Sequence, residues 1–313
     1  MRRRGILLGI LLLISGYFKL TAGIESLIIS EFCVINDTVI QDEFGGYPDW
    51  IELYNNSSSP VNLFDLYISD DPFNILKFKF QTADLVVDPH SYIVLWADNE
   101  PDQGLKHVGF KLSKGEYIIL FNSSYGIIDS VKIMEGIPNY SVGRTDTEKT
   151  WTWEYFTEPT PGTVNNTQSF AGIAGTPVFN ITGGFYNSAI DVTFSTSNPL
   201  DEIYYTLDSH DPEPGNPNTF LYEGTPVSIS STQVMRAQCF RSDYLPGKMV
   251  SNIYFLNENY SLPVLVTMTD PDNLTGPLGI YSNPWKEGYE WERFAQHQYF
   301  IRSQLQFSNN SGI

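Results

Sequence analysis

Residues 49–56 read DWIELYNN, and this short stretch decides the class of fold. Successive side chains of a β-strand point to opposite faces, so Ile51 and Leu53 share one face and Glu52 lies on the other. The turn-forming sequences GGYPD and NNSSSP bound the run on its two sides. We therefore expect a strand with one apolar face, and Glu52 either at the sheet surface or partly buried against a cation.

The two carboxylates of this stretch are the first candidates for chemistry. A catalytic carboxylate pair needs two groups held about 5 to 10 Å apart in a cleft. Asp49 and Glu52 are three residues apart, so strand geometry directs them to opposite faces, and Asp49 is expected to accept N–H bonds of the preceding turn. The stretch therefore favours a structural strand over an active site.

Strand-length apolar runs separated by Asp, Asn, Gly and Pro turns continue in both directions. Those of residues 26–167 predict an antiparallel sandwich or barrel. A connector rich in Gly and Ala at 168–175 leads to a second strand-rich block at 176–257. The last block, 262–313, holds two or three strands and no closed core, so we expect it to be a truncated domain.

The N-terminus has the pattern of a secretory signal. MRRR is followed by the apolar run GILLGILLLISGYF and by small residues before Gly23. We predict a signal peptide at 1–23, cleaved after Gly23, with an uncleaved anchor as the alternative. The run of about 14 apolar residues is short of the roughly 20 that span a bilayer, and no other segment could span one.

The charge of the chain excludes some partners. The predicted signal contains four of the 18 basic residues and no acid, which leaves 14 basic against 36 acidic residues, a net charge of −22. Such a chain repels the phosphates of nucleic acids and anionic lipids. We expect a soluble exported protein with no nucleic-acid partner.

Few residues have the spacing of a reactive site. Cys33 and Cys239 lie in apolar strands of different blocks, so two buried free thiols are expected rather than a disulfide. The sequence contains no HExxH, CxxC, GxSxG or phosphate-binding loop. The four histidines are unpaired in spacing and are interpreted as loop or surface residues: His90, His107, His210 and His297.

Two further patterns leave alternatives open. The acidic clusters Asp42-Glu43, Asp70-Asp71 and Asp208–Glu213 lack the ligand spacing of a calcium loop and fall at expected turns, with weak fortuitous Ca²⁺ binding as the alternative. In TWTWEYF, residues 150–156, Trp151, Trp153 and Tyr155 share one strand face. That face is either the cover of a core or a sugar-stacking platform.

The first block resembles the lamin-tail domains. The motifs that carry the resemblance occur in the family's order: IISEF, DWIELYN, NLFDLYISDD, YIVLWAD, FKLSKGEYIILFN, SVGR and TPGTVN. The resemblance covers about 140 residues. It implies an immunoglobulin-like sandwich that binds or scaffolds, without known catalysis.

The second block resembles the C-terminal β-domain of chitobiase and β-hexosaminidase, through TPVFNITGGFY, IYYTLD, DPEP, LYEGTPVSIS, VMRAQCF and IYF. The hexosaminidase active site lies in a separate barrel domain, so the resemblance implies a spacer sandwich, with a carbohydrate binder as the alternative.

The third block looks like the opening of a CotH-type atypical kinase domain, through LPVLVTMTDPDNL, GIYSNP, WERFAQHQYF and FSNNSGI. The family's ATP-handling and Mg²⁺-binding positions would follow residue 313.

Together these patterns predict an all-β fold with two consecutive immunoglobulin-like β-sandwiches after a signal peptide, plus an incomplete C-terminal α/β fragment. The expected function is an exported, non-catalytic scaffold or adhesion module, the N-terminal part of a cell-surface protein whose remainder is a CotH-like kinase. The alternative is a carbohydrate-binding accessory module of an extracellular enzyme. The expected partner is a surface protein or polysaccharide, and we assign no catalytic, cofactor-binding or metal-ligating residue and no cofactor.

Overall fold

The computed structural model describes residues 23–145, 152–288 and 291–313, and its regular secondary structure is almost entirely β-strand. The chain divides into two compact units, residues 1–168 and 169–313. The predicted all-β class with immunoglobulin-like sandwiches is confirmed. The predicted signal peptide lies, except for Gly23, outside the described residues. Among the helices of the described residues, none is long and apolar enough to span a bilayer.

The first unit begins with a short 3-10 helix at Ile24–Ser26, after which strands and turns alternate. Its strands are β1 Leu27–Cys33, β2 Trp50–Asn55, β3 Val61–Asn62, β4 Leu66–Ser69, β5 Phe78–Lys79, β6 Val86–Val87, β7 Tyr92–Trp96, β8 Tyr117–Asn122, β9 Gly126–Lys132, β10 Ser141–Thr145 and β11 Thr152–Phe156.

Two antiparallel sheets form the sandwich of the first unit. One has the strand order β11-β10-β1-β2-β7 and the other the order β5-β4-β8-β9, with the pair β3-β6 beside them. Strand β2 therefore lies inside its sheet, between β1 and β7. Ile51 pairs with Phe32 and Leu95 in these neighbouring strands. The DWIELY segment is thus an interior strand and not a sheet edge.

The apolar face predicted for β2 is confirmed. Ile51 and Leu53 are fully buried, as are Ile29 and Phe32 of the neighbouring strand. The second sheet contributes Leu66, Ile68, Ile118 and Leu120 to the core. Burying a side chain of this size contributes about 1.5–3 kcal/mol, so this alternation stabilises the pairing register as well as the sandwich.

The second unit is a second arrangement of short strands. They are β12 Ser169–Phe170, β13 Val178–Phe179, β14 Gly184–Tyr186, β15 Ile190–Val192, β16 Phe194–Ser195, β17 Glu202–Thr206, β18 Phe220–Leu221, β19 Val227–Ile229, β20 Gln233–Phe240, β21 Val250–Leu256, β22 Val264–Met268, β23 Phe294–Ile301 and β24 Gln304–Gly312. One helical turn, α1 Asp272–Thr275, follows β22.

The main sheet of this unit has five strands in the order β14-β21-β20-β17-β18, and two-stranded pairs β13-β16 and β15-β19 accompany it. The β14-β21 pair is parallel and the other pairs of the main sheet are antiparallel. Val192, Ile229, Met235 and Tyr254 are fully buried in its core.

Residues 262–313 pack against strand β21 in the same unit. Their three strands form a sheet of order β22-β23-β24. Met268 and Phe300 of this sheet are buried in a cluster with Ile253 and Phe255 of β21. The buried side chains of this block therefore belong to a shared core. Every residue of β24 is exposed.

Glutamine side chains add polar ties to this packing. Gln296 Oε1 accepts the N–H of Ser251 at 2.6 Å, and Gln298 Oε1 accepts that of Ile253 at 3.2 Å. These two N–H groups of β21 are buried, so leaving them unbonded would cost about 1–3 kcal/mol each. The proposed boundaries at 26–167, 168–175, 176–257 and 262–313 stay predictions.

A buried arginine on strand β20 contacts the loop that follows strand β17 in the second unit. Arg236 on β20 is fully buried and forms an ion pair of 2.5 Å with Asp211. Its Nη1 also donates to the carbonyl of Ser209 at 2.6 Å, and the N–H of Asp211 donates to Asp270 Oδ2 at 2.7 Å. The charge of Arg236 therefore fixes the loop after β17 next to the start of the α1 segment.

Candidate functional site

A β-bulge in strand β1 creates the polar centre of the first unit. The register pairs Ile29 with Leu53 and then Glu31 with Glu52, so Ser30 is one extra residue opposite the partner strand. A bulge of this kind redirects side chains, and it places Ser30 and Glu31 together on the face that carries Glu52. The sequence ISEF gives no visible signal of this irregularity.

Both glutamates on that face are completely buried. Glu52 Oε1 accepts the hydroxyl of Ser30 at 2.5 Å, and Glu52 Oε2 accepts the N–H of Gly162 at 2.5 Å. Glu31 Oε1 accepts the hydroxyl of Ser141 and, at 3.3 Å, the N–H of Thr160. The expectation that Glu52 lies at the sheet surface or against a cation is wrong, since it faces a hydroxyl and a backbone N–H.

Burial changes the protonation of the pair. Loss of solvent raises the pKa of Glu31 to about 7 and that of Glu52 to about 8, and the hydrogen bonds to each carboxylate offset only part of this effect. Each glutamate also raises the pKa of its neighbour when it is ionised, as the charge of Glu31 does for Glu52. Near neutral pH the pair therefore retains protons that exposed glutamates lose.

These contacts fasten a chain segment rather than a substrate. Residues 157–167, which we call the return segment, follow β11 and lie across the polar face. Besides the N–H groups of Thr160 and Gly162, the return segment contributes Asn165, whose Nδ2 donates to the carbonyls of Ser30 at 3.0 Å and Arg144 at 3.1 Å. The Glu31–Glu52 pair is thus covered by its own chain.

The other carboxylate of the opening stretch takes a separate position. Burial raises the pKa of Asp49 to about 6, against the lowering effects of a backbone hydrogen bond from Leu112 and the charge of Lys111. Its contacts are therefore to the loop that carries Leu112, while the register places Glu52 next to Glu31. Sequence spacing rejected Asp49 and Glu52 as a pair, and it missed Glu31 as the true neighbour of Glu52.

A small open cleft lies beside the return segment on the same face of the sheet. Its volume is about 200 Å³. Ile28, Tyr54 and Tyr92 form one row across its floor, because the register pairs each with the next. The two tyrosine rings stack with centroids 4.7 Å apart and planes 30° apart, and both are half-buried.

Arg144 also lines this cleft. Its Nη2 donates to both carboxylate oxygens of Asp129 at 2.6 and 2.7 Å, and its guanidinium lies 4.8 Å from the ring centre of Trp153. Asp129 Oδ2 also accepts the N–H of Ile29 at 2.8 Å. This network fixes the arginine in place, so the cleft has preformed rather than adaptable walls. Asn56 supplies an amide to the lining of the cleft, whereas the amide of Asn165 is already bonded to the carbonyls of Ser30 and Arg144.

The predicted aromatic platform is not assembled as the alternation suggested. Tyr155 is only 3% exposed and its hydroxyl donates to the carbonyl of Glu135 at 3.1 Å. Trp153 is half-buried between the guanidinium of Arg144 and the ring of Phe32, whose centroid is 5.6 Å away. Trp151 lies outside the described residues. The stacked aromatic pair of this unit, Tyr54 and Tyr92, was not found from the sequence because its members lie on different strands.

The acidic turns largely have the expected role. Asp42 and Asp71 each accept the N–H two residues ahead, from Phe44 at 2.9 Å and Phe73 at 2.8 Å. Asp208 accepts the N–H of His210 at 3.3 Å. Such bonds stabilise turns without any ion.

One histidine contradicts its expectation. His90 and His210 are exposed and His297 is half-buried, but His107 is fully buried. Its Nδ1 lies 2.5 Å from Asp98 Oδ2. The sequence around it, GLKHVGF, has no strand alternation that would have shown the burial.

The prediction of two free buried thiols is confirmed. Burial, with smaller contributions from nearby carboxylates, raises the pKa of Cys33 to about 12, and burial also raises that of Cys239. A thiol with such a pKa stays protonated and is a poor nucleophile. Neither cysteine is therefore a candidate catalytic residue.

Comparison with known proteins supports two of the three resemblances. Residues 21–135 match the family model of the Lamin Tail Domain, and residues 181–251 match that of the Chitobiase/beta-hexosaminidase C-terminal domain. A search of the curated proteins finds no match to the chain. Neither matched range reaches residues 262–313, so their likeness to a CotH-type domain stays a prediction. The chain thus contains a stretch similar to the Lamin Tail Domain, followed by one similar to the Chitobiase/beta-hexosaminidase C-terminal domain.

Proposed function

We propose that the chain is an exported, non-catalytic scaffold or adhesion module and forms part of a cell-surface protein. The observation that supports this most is the succession of two β-domain types, lamin-tail and chitobiase/β-hexosaminidase C-terminal, in one strongly acidic chain. Export is proposed from the basic and apolar pattern of residues 1–23. Sequencing the N-terminus of the secreted protein tests it, because cleavage after Gly23 would leave Ile24 as the first residue.

The burial and the hydrogen bonds of Glu31 and Glu52 support a non-catalytic role. A general acid or base must reach the proton that it transfers, within hydrogen-bond distance of the substrate or through one water. Glu31 and Glu52 have the raised pKa values that such a role requires, but both are fully buried and bond to Thr160 and Gly162 of the return segment. Their raised pKa values therefore result from burial beneath the return segment and do not indicate a role in catalysis.

The cleft beside the return segment is the proposed contact point for a partner. Its volume of about 200 Å³ is below the roughly 300 Å³ at which pockets for whole small molecules begin, so it suits one side chain or one sugar ring. Tyr54 and Tyr92 offer aromatic surface with hydroxyl groups at the edge, as recognition surfaces often do. The partner proposed is a surface protein or polysaccharide.

A carbohydrate-binding accessory module is the second candidate function. The observation that favours it is the Tyr54–Tyr92 pair with the amide of Asn56 at one cleft. Aromatic rings stack on the apolar faces of sugars, and amides bond to their hydroxyl groups. This candidate replaces the platform of Trp151, Trp153 and Tyr155 with a different set of residues.

A CotH-like kinase is a further part of the proposal and concerns residues beyond this chain. The resemblance of 262–313 to the start of such a domain is its basis. We expect no phosphotransfer by the chain as given, because the nucleotide- and metal-binding positions of that family would follow residue 313. ATP turnover by the purified chain would contradict the non-catalytic proposal.

One binding experiment separates the two module functions. The purified chain is mixed with insoluble chitin, cellulose and peptidoglycan, and the bound fraction is measured by co-sedimentation for the parent, Tyr92→Ala and Tyr125→Ala. Tyr125 is 59% exposed in the turn between β8 and β9, so its variant controls for loss of an exposed tyrosine. Binding that only Tyr92→Ala reduces supports the carbohydrate candidate, whereas a scaffold for proteins predicts no binding by any of the three.

A further inference from the structure

An acidic loop closes over the buried imidazole of His107 in the first unit. The side chain of His107 is 0% exposed, and backbone bonds fix its strand-like segment to β7, from Trp96 N to the carbonyl of Lys106 and from Val108 N to the carbonyl of Trp96. Its Nδ1 lies 2.5 Å from Asp98 Oδ2. Its other ring nitrogen, Nε2, is buried without a hydrogen-bond partner in the described structure.

A carboxylate faces this second nitrogen. Glu43 Oε1 lies 3.4 Å from His107 Nε2, and Glu43 is held there because its Oε2 accepts the indole N–H of Trp96 at 3.0 Å. If Asp98 accepts a proton from Nδ1, a neutral imidazole presents the lone pair of Nε2 to the negative Glu43. Two electron-rich atoms then face each other, one of them on a fully buried ring, and a cation between them relieves their repulsion.

The spacing of the two atoms suits one metal ion. Zinc lies about 2.0–2.1 Å from a histidine nitrogen and about 2.0–2.2 Å from a carboxylate oxygen, in tetrahedral geometry. Two ligands at these distances are roughly 3.3–3.5 Å apart, and the atoms of His107 and Glu43 are 3.4 Å apart. Asp42, Asp98 and His107 also each offer a ligand atom, all within 4.8 Å of one another.

The glycine beside the pair leaves room for an ion. A Cβ added at Gly104 would lie 3.2 Å from Glu43 Oε1 and 3.8 Å from His107 Nε2, so any other residue would fill this space. The loop of Asp42 is itself fixed, since Asp42 Oδ1 accepts the N–H groups of Phe44 at 2.9 Å and Gly46 at 2.8 Å. The donor groups are therefore held in place by contacts that need no metal.

We propose that this group of side chains is a binding site for one Zn²⁺ ion, with His107 Nε2 and Glu43 Oε1 as direct ligands. Asp42 offers a carboxylate oxygen within 4.8 Å of a ring nitrogen of His107 and would supply a third ligand. Asp98 is a positioning residue: it accepts the Nδ1 proton and orients the ring, as carboxylates behind metal-bound histidines do. The imidazole nitrogen favours zinc over Ca²⁺, which takes oxygen ligands.

The test measures zinc binding by the purified, untagged chain. Competition with a chromogenic zinc chelator gives the affinity and stoichiometry for the parent, Glu43→Gln and Asp71→Asn. Glu43 is about half exposed, so its variant is expected to fold, and Asp71 holds an acidic turn through the same type of bond as Asp42. We expect one ion per chain, a loss of about tenfold or more in affinity for Glu43→Gln, and affinity within about twofold of the parent for Asp71→Asn.

Two further measurements decide between a zinc ion and a bound proton. Nitrogen NMR of His107 should show Nε2 changing its shift on zinc addition while Nδ1 stays protonated, and Ca²⁺ should leave the spectrum unchanged. The proposal is overturned by an imidazole that stays doubly protonated in excess zinc, by no binding against the chelator, or by equal affinities of the parent and Glu43→Gln. The proposal is also overturned if Asp71→Asn loses as much zinc affinity as Glu43→Gln does. Such a result would show that zinc responds to the net negative charge of the chain and not to one site.

Discussion

Replacing the buried Glu52 by glutamine should make the stability of the first unit less sensitive to a rise in pH from about 5 to about 8. Glu52 has a pKa of about 8 in the folded chain and an ordinary value of 4.5. Below pH about 4.5 the group is protonated in both states and its contribution is complete. As pH rises the unfolded chain loses this proton first, so stability falls until the folded group also ionises near pH 8. The raised value therefore destabilises the fold between pH about 5 and about 8.

The size of the effect follows from the two pKa values. Each pH unit over which only the unfolded state is ionised changes the free energy of unfolding by about 1.4 kcal/mol. From pH about 5 this gives about 4 kcal/mol up to pH about 8 for Glu52 and about 3 kcal/mol up to pH about 7 for Glu31, whose folded pKa is about 7.

Glu52→Gln removes the larger contribution while keeping the shape of the side chain. The amide oxygen can accept the N–H of Gly162, and the amide nitrogen can donate to the hydroxyl of Ser30, so both contacts of Glu52 persist in changed polarity. We expect the loss of stability between pH about 5 and about 8 to shrink by about 4 kcal/mol relative to the parent. Glu100→Gln, in an exposed turn, is the control and should follow the parent.

The assay is urea unfolding followed by tryptophan emission at several pH values. Four of the six tryptophans lie within residues 50–153, so the emission reports mainly on the first unit. Two of them, Trp50 and Trp96, are buried and should change strongly on unfolding. A parent whose stability is flat across this pH range, or a Glu52→Gln variant that loses as much as the parent, would refute the reasoning.

Three more predictions follow from single sites. Gly162→Ala should lower stability by about 1–2 kcal/mol in urea unfolding, because Gly162 has a φ of +87°, whereas Gly109→Ala should change it little. Arg236→Met should destabilise the second unit by about 1–3 kcal/mol, seen by calorimetry, because the carbonyl of Ser209 loses its donor and Asp211, which is 41% exposed, loses its ion-pair partner. The two thiols, Cys33 and Cys239, should not react with a thiol-specific disulfide reagent in the native chain and should both react in guanidinium.

The sheet architecture could be predicted because its signals are local. Alternation in DWIELY places Ile51 and Leu53 in the core, and turns rich in Gly, Asn, Asp and Pro mark the ends of the strands. The same period-two rule assigns every second residue of a strand to the same face. It therefore correctly places the side chains of Glu52 and Asp49 on different faces. It fails where a strand has an extra residue, as at Ser30, because nothing in composition or hydropathy distinguishes a bulge from a regular strand.

The candidate sites depend on contacts between distant parts of the chain, so sequence patterns could not reveal them. Tyr54 meets Tyr92 through strand pairing, and Glu43 meets His107 through a loop that folds back over β7. Spacing rules for metal sites look for ligands a few residues apart, and His107 has none at such spacing except Asp98, nine residues before it. A scan for histidines in segments without alternation, beside acidic turns, would have kept His107 as a candidate.

Burial of charge in the first unit has two different consequences that the same physical rule explains. At the bulge, Glu31 and Glu52 avoid the cost of an unpaired buried charge by retaining protons, so they serve as neutral acceptors for the return segment. Around His107 the carboxylate of Glu43 is about half exposed and has no such need, so the negative charge stays and attracts a cation to the buried nitrogen. Two acidic clusters of similar composition therefore differ in chemistry because one is covered by its own chain and the other opens to solvent.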